Sequence, residues 1–169
     1  MWFGLACVRL PTSKSASRKV VTMSVVLSQA EADVLMELPK RFLETSAISF
    51  PAAGEKASYD IASDNGRERF TADVNRGRIR LTKCTYQERC RSIFVLARLD
   101  LDGPPHENPD HEVVPCPHLH IYREDYADKW AFRLPTGKFR NTSDLVDTFR
   151  DFMTFCNVSG VPDIQSSLI

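Results

Sequence analysis

The four histidines of this chain lie close together in the sequence. His106, His111, His118 and His120 occupy one short segment, and no other position among the 169 residues is a histidine. An imidazole titrates near neutral pH and also binds divalent metals. The segment is therefore the first candidate for acid–base chemistry or for metal binding.

The spacing of His118 and His120 indicates a strand over 113–122. Alternate residues of a strand point to the same side of the sheet. Leu119 and Ile121 are therefore expected to enter the core. The opposite row is polar, and its members are Cys116, His118, His120 and Tyr122.

A second predicted strand, 92–101, has Arg98 and Asp100 on its polar side. Strands that follow each other in the chain often pair. We therefore expect Arg98 and Asp100 to lie beside the histidine row. The proline-rich loop 102–112 would then place His106 over the same site.

One interpretation of this cluster is metal-independent cleavage of RNA. A neutral imidazole removes the proton of the 2′-hydroxyl, a second imidazole protonates the leaving oxygen, and a cation stabilises the charge on phosphorus. The candidate catalytic residues are His106, His118, His120, Tyr122, Arg98 and Lys129. A locally basic stretch of the chain supplies candidate RNA-binding residues, which are Arg76, Arg78, Arg80, Tyr86, Gln87 and Arg89.

A second interpretation is a metal site. The pair His118 and His120 places two imidazoles on one strand face. The candidate third ligands for zinc or another divalent ion are Cys116, His106, His111, Asp100 and Asp110. A third interpretation is a rigid recognition surface without catalysis. The spacing of the histidines alone leaves these alternatives open.

The elements that position the cluster are predicted from periodicity. Ser28 and Glu31 have capping-box spacing, so a helix is expected over 28–45, kinked or divided at Pro39. A hairpin is expected over 57–74, and a second helix over 143–156. The predicted fold class is α+β, an antiparallel sheet of five to six strands with the N-terminal and C-terminal helices on one face.

Composition limits the classes of function. The 22 Lys and Arg residues balance the 22 Asp and Glu residues, so no global field attracts nucleic acid or an anionic membrane. No apolar run is long enough to cross a bilayer, and five cysteines without a CxxC pair favour a cytoplasmic protein. Residues 1–22 are expected to be a disordered extension, and residues 23–169 a single globular domain.

Several motifs give the chain a resemblance to a family. They are Thr85-Tyr86-Gln87, Arg98-Leu99-Asp100, His106-x-Asn108-Pro109-Asp110, Pro117-His118-Leu119-His120-Ile121-Tyr122 and Asp128-Lys129-Trp130-Ala131. With these motifs the chain resembles a family of small bacterial and phage-borne domains of unknown function. The resemblance implies a prokaryotic or viral setting and carries no activity.

The sequence thus predicts a small metal-independent endoribonuclease of toxin type, with RNA as its partner. The first alternative is a non-enzymatic protein-binding domain, either a phage-encoded inhibitor of a host defence nuclease, such as an anti-CRISPR, or a toxin-neutralising partner. The second alternative is a divalent-metal-dependent hydrolase that uses His118 and His120. An enzyme requires His106 to converge with these two histidines in one hollow, whereas a binding domain can leave the three rings spread over a flat surface.

Overall fold

A computed structural model of the chain describes residues 26–166, and the predicted extension 1–22 lies outside the described residues. The described part contains two helices, α1 (Gln29–Glu37) and α2 (Leu145–Phe155). Its strands are β1 (Lys40–Phe42), β2 (Ile48–Phe50), β3 (Lys56–Ser63), β4 (Arg69–Arg76), β5 (Cys84–Cys90), β6 (Phe94–Leu101), β7 (His106–Glu107), β8 (Val113–Val114), β9 (His118–Ile121), β10 (Ala131–Arg133), β11 (Val158–Ser159) and β12 (Ile164–Ser166). No helix in this part of the chain is long and apolar enough to cross a membrane.

Most of the strands form one mixed sheet. Its eight strands follow the order β10-β9-β6-β5-β4-β3-β1-β11. All neighbours are antiparallel except β1 and β11, which are parallel. Two small sheets pair β2 with β12 and β7 with β8. The predicted antiparallel sheet of five to six strands, with the N-terminal and C-terminal helices on one face, is therefore wrong, because distant segments of the chain add strands to the edge of the sheet.

The first helix is much shorter than predicted. Ser28 and Glu31 form the expected capping box, but α1 ends at Glu37, and Leu38 has extended ψ at 132°. A residue before proline avoids the helical conformation, and Pro39 has no amide hydrogen to continue the helix. The chain then enters β1, where the Lys40 amide donates to the Asn157 carbonyl at 3.0 Å.

The sequence reading also missed the central strand β5. Cys84, Tyr86, Glu88 and Cys90 are all buried on one side of this strand. The inward carboxylate of Glu88 obscures the alternation of apolar and polar residues. The hairpin of β3 and β4 is confirmed, with Gly66 at φ 70° in its turn.

The helix α2 covers one face of the sheet and lies within two residues of its predicted ends. The ring of Phe149 lies 5.7 to 6.4 Å from the rings of Phe42, Phe50, Tyr59 and Tyr86. The apolar core therefore lies between α2 and this face. The opposite face bears the polar residues of β6 and β9, and it presents the histidine cluster.

Candidate functional site

The pairing of β6 with β9 builds the floor of the site. Arg98 lies opposite His120, and Asp100 lies opposite His118. This register confirms the predicted pairing of the two segments. Both histidines are buried, with His118 4% and His120 0% exposed.

His106 reaches the same place from a different segment. Its ring centroid lies 4.6 Å from that of His120 and 5.7 Å from that of His118, and the last two are 5.0 Å apart. One potential ligand nitrogen from each ring lies within 4.8 Å of the other two. The expected convergence of His106 with the strand histidines is confirmed.

A buried asparagine fixes the loop that bears His106. Asn108 is 2% exposed, and its side-chain amide donates to the carbonyl of Ala131 at 2.9 Å. Its side-chain oxygen accepts from the amide of the same residue at 2.8 Å. These bonds attach the β7–β8 hairpin to β10, so that His106 stays above the two strand histidines.

Each of the three imidazoles has an acceptor beside its Nε2 atom. His106 Nε2 lies 2.9 Å from the carbonyl oxygen of Lys129. His120 Nε2 lies 3.3 Å and His118 Nε2 lies 3.6 Å from the Asp100 Oδ2 atom. The Nδ1 atoms of His118 and His120 are buried and make no hydrogen bond. Buried polar atoms without partners are rare and call for an explanation.

Asp100 is an ionised anchor for the cluster. Its carboxylate accepts from Thr85 Oγ1 at 2.8 Å and from Arg98 Nε at 3.1 Å. Burial favours the neutral acid, but the bond to His120 and the charge of Arg98 outweigh burial and hold the pKa of Asp100 well below its usual range. Burial, together with the neighbouring His120, lowers the pKa of His118, so its ring is neutral at pH 7.

His120 Nε2 has two neighbours that require opposite protonation states. Arg98 Nη2, at 2.9 Å, can only donate, whereas the Asp100 carboxylate can only accept. With its proton on Nε2, the ring can donate to the Asp100 carboxylate, and the Nδ1 lone pair stays free. With its proton on Nδ1, the ring can accept from Arg98 at Nε2, but Nδ1 then has no free lone pair. A cation at Nδ1 would therefore select the first tautomer.

A hollow of about 270 Å³ opens beside the cluster. The residues that line it are Lys83, Thr85, Asp100, Leu101, Gly103, Pro104, Pro105, His106 and His118. His120 lies behind this lining and is fully buried. A small molecule in the hollow would therefore contact His106 and His118, while His120 supports them from behind.

Several predicted catalytic residues have other roles. Tyr122 follows the end of β9 and donates its hydroxyl to the Leu27 carbonyl, so it lies in the core instead of beside the histidines. Arg98 is engaged by the carboxylates of Asp100 and Asp128. Lys129 contributes its backbone carbonyl to His106. The guanidinium of Arg98 is thus already paired within the fold, and the phosphate contacts of Arg98 and Lys129 stay predictions.

Cys116, a predicted third zinc ligand, is not among the clustered ligand atoms of the described residues. Its sulfur accepts from the Gly103 amide at 3.2 Å and donates to the Asp100 carbonyl at 3.4 Å. Partial burial raises the pKa of the thiol, so a free thiolate is disfavoured. Of the predicted third ligands, His106 is the one that joins His118 and His120.

The predicted RNA-binding residues divide into two groups. The first group, Tyr86, Gln87 and Arg89, is bonded within the fold. Tyr86 is 0% exposed and its hydroxyl bonds the Leu145 carbonyl, so it cannot stack on a base. Gln87 and Arg89 both bond the carboxylate of Asp73. The second group is Arg76, Arg78 and Arg80, which line a second cavity of about 480 Å³.

Sequence reasoning gave no site role to three residues that build it, although Asn108 belongs to one of the family motifs and Lys83 to the basic stretch. Asn108 anchors the loop, Thr85 bonds Asp100, and Lys83 lines both cavities. The motif around Asn108 was a usable signal, because an asparagine between two prolines often organises a turn. No local pattern distinguishes Lys83 or Thr85 from other polar residues of an edge or a turn.

Comparison with known proteins places the chain in a family. No curated protein and no solved structure matches it. A family model described as a family of unknown function, DUF6978, matches residues 27–158, which include both helix α1 and the whole histidine site. The chain belongs to the DUF6978 family, a family of unknown function.

Proposed function

We propose that this protein is a divalent-metal-dependent hydrolase whose metal ligands are His106, His118 and His120. The observation that carries the proposal is that the three rings converge, each with an acceptor near Nε2, while the buried Nδ1 atoms of His118 and His120 make no hydrogen bond. Histidines that bind metals nearly always present their second nitrogen to a carboxylate or a carbonyl. Asp100 and the Lys129 carbonyl fill that role here.

The donor set fits zinc or a related ion. Three neutral imidazoles are a common ligand set for catalytic zinc, which keeps a further position for water or substrate. Such an ion lowers the pKa of bound water to about 7 and so supplies a nucleophile. The hollow beside His106 and His118 has room for that water and for a substrate group.

The other residues of the hollow have roles that follow from their contacts. Asp100 favours the Nε2–H tautomer of His120 at 3.3 Å and places its charge 3.6 Å from His118 Nε2, and Thr85 holds Asp100 in place. Lys83 is exposed at the rim of the hollow and offers a positive charge to an anionic substrate. The low pKa of Asp100 keeps it a carboxylate under all conditions in which the histidines are neutral.

The metal-independent ribonuclease is the second candidate, because His106 and His118 line the same hollow together with Lys83. One imidazole could serve as base and the other as acid toward a phosphodiester between them. The two candidates use the same residues and differ in their need for an ion. A bacterial or phage setting, a cytoplasmic location and a protein partner stay predictions.

The first experiment measures metal binding. Purified full-length protein is stripped with EDTA, dialysed and titrated with Zn²⁺ by calorimetry and with Co²⁺ by visible absorption. We expect one equivalent per chain for the unaltered protein and for the control variant His111→Asn. We expect none for His106→Ala, which removes the most accessible ligand, and none for His118→Ala. Equal binding by all four proteins would overturn the proposal.

The second experiment measures hydrolysis of a phosphodiester, bis(p-nitrophenyl) phosphate, and of total RNA with and without EDTA. Activity that is lost on chelation and restored by zinc supports the metal-dependent hydrolase. Activity that survives chelation but disappears in His106→Ala supports the metal-independent enzyme and overturns the first proposal. Absence of both metal binding and hydrolysis leaves the non-enzymatic binding domain.

A further inference from the structure

A basic cavity adjoins the histidine hollow. It has a volume of about 480 Å³, and its lining includes Arg76, Arg78, Arg80 and Lys83. Lys83 and Thr85 line both this cavity and the hollow, so the two recesses share a wall. We propose that a single-stranded polynucleotide binds along both recesses, with one phosphate in the basic cavity and the next phosphodiester at the histidines. This inference rests on the proposed function and names its substrate.

The turn after β4 gives the cavity its shape. Residues 77–83 form a turn closed by the bond from the Gly77 amide to the Lys83 carbonyl at 2.7 Å. A Cβ atom on Gly77 would lie 2.7 Å from the Arg80 carbonyl oxygen, so only glycine fits. The tight turn concentrates the cationic side chains around one recess.

The cations of the cavity are only partly neutralised. Arg80 forms an exposed ion pair with Asp102 at 3.1 Å. Arg76 donates to the Pro51 carbonyl, and its Nε atom is buried without a partner. Among the described residues, no carboxylate pairs with Arg78 or Lys83. The cavity therefore has surplus positive charge, and guanidinium groups bind phosphate oxygens well.

The apolar residues of the same turn distinguish a polynucleotide from an acidic peptide. Ile79 is 94% and Leu81 is 59% exposed, and Ile79 lines the cavity beside the arginines. Unstacked bases offer apolar faces next to their phosphates, whereas acidic side chains do not. A flexible single strand is therefore the occupant that we expect across the wall that Lys83 and Thr85 share.

The test uses fluorescein-labelled U12 RNA and the matching dT12 DNA in anisotropy titrations, in EDTA, with the full chain. We expect the double variant Arg78→Gln/Lys83→Gln to bind roughly tenfold more weakly, and its slope of log affinity against log salt to fall by about 0.7 for each lost phosphate contact. Lys138→Gln removes one exposed lysine that lines neither recess and should bind like the unaltered protein. Tighter binding of U12 or of dT12 would show that the protein recognises the sugar. Equal binding of the two strands would show that it recognises only the phosphate backbone.

Three results would overturn the inference. They are unchanged binding by the double variant, equal binding of a duplex of the same length, and full competition by polyglutamate. Titration in EDTA separates this inference from the proposed function. Strand binding with no metal binding would refute the proposed metal centre only, whereas one bound metal ion without strand binding would refute the substrate only.

Discussion

Two buried polar clusters lie on opposite faces of the same sheet. In the first, Lys40 Nζ lies 3.3 Å from Glu88 Oε1, and both side chains are 0% exposed. The ammonium group also donates to the carbonyls of Leu35 and Met36. In the second, the histidine cluster, the buried Nδ1 atoms of two rings have no partner, and a hollow opens beside them.

The comparison shows that burial of polar groups does not by itself identify a functional site. Both Glu88 oxygens also lack a hydrogen bond, but the Lys40 ammonium supplies their counter-charge inside the fold, so no ion from solvent is required. The histidine cluster has lone pairs that no protein group uses. Unpaired lone pairs next to an opening are what indicate a ligand, and the following predictions test that distinction.

The largest effect is expected from Lys40→Met. The variant keeps the length of the side chain but leaves the Glu88 carboxyl buried without its counter-charge. Breaking a buried ion pair costs roughly 3–5 kcal/mol, so the free energy of unfolding in urea should fall by that amount. The double variant Lys40→Met/Glu88→Leu should recover most of the loss. A loss below 1 kcal/mol would show that this pair contributes little to the fold.

The same pair predicts a pH dependence of stability. Burial raises the pKa of Glu88 to about 7, although the Lys40 ammonium opposes the shift. The folded protein therefore keeps a proton that the unfolded chain loses between pH 4.5 and 7, and stability falls as the pH rises through this range. At ~1.4 kcal/mol per unit, the loss is up to about 3 kcal/mol.

The measurement compares urea unfolding of the unaltered protein and of Glu88→Gln at several pH values. The comparison is necessary because the lowered pKa of His118 acts in the opposite direction, with stability rising as the pH approaches 6.5. The free energy of unfolding of the unaltered protein, relative to that of Glu88→Gln, should fall steadily as the pH rises from 4.5 to 7. A constant difference would contradict the assigned role of Glu88.

Addition and removal of zinc should affect only the histidine cluster. A ligand that binds the folded protein alone at 100 times its Kd raises the free energy of unfolding by about 2.7 kcal/mol. We expect this increase for the unaltered protein, its reversal by EDTA, and no increase for His106→Ala. An equal increase in His106→Ala would place the zinc elsewhere and remove the distinction between the two clusters.

Asn108→Ala tests how the cluster is held together. The substitution leaves the amide and the carbonyl of Ala131 without their buried partner. We expect a loss of about 2 kcal/mol in unfolding free energy and weaker zinc binding, because His106 is on the released hairpin. Glu112→Ala, an exposed change on the same hairpin, is the control. Equal zinc affinity in both variants would show that His106 needs no anchor.

The histidine site was largely predictable because strand periodicity is local. Two residues two positions apart share a face, so His118 and His120 had to act together, and the pairing of β6 with β9 followed from their sequence order. Tyr122 broke this rule because β9 ends at Ile121, after which the chain turns toward the core.

The sheet was less predictable because its edges depend on distant segments. The parallel pairing of β1 with β11 joins Lys40 to Val158, and no local pattern specifies such a contact. The predicted helix ran through Lys40 because Leu38 and Phe42 continue the helical spacing across Pro39. Here the backbone restriction at proline outweighed the apolar periodicity.

The smallest effect is expected from the fourth histidine, in the variant His111→Asn. His111 Nδ1 lies 2.7 Å from Glu107 Oε1, and the two side chains are 86% and 62% exposed. Exposed pairs contribute little, so unfolding free energy should change by less than about 0.5 kcal/mol. Asparagine is preferred to alanine here because His111 has φ of 69°, which asparagine tolerates.

Zinc affinity gives this last variant its diagnostic value. His111 differs from the three clustered histidines in exposure and in distance from them, although all four come from one short segment of sequence. If sequence proximity decided metal binding, His111→Asn would weaken zinc as much as His106→Ala does. If unpaired nitrogen atoms beside a hollow decide it, as the contrast with Lys40 and Glu88 indicates, the affinity of His111→Asn for zinc will equal that of the unaltered protein.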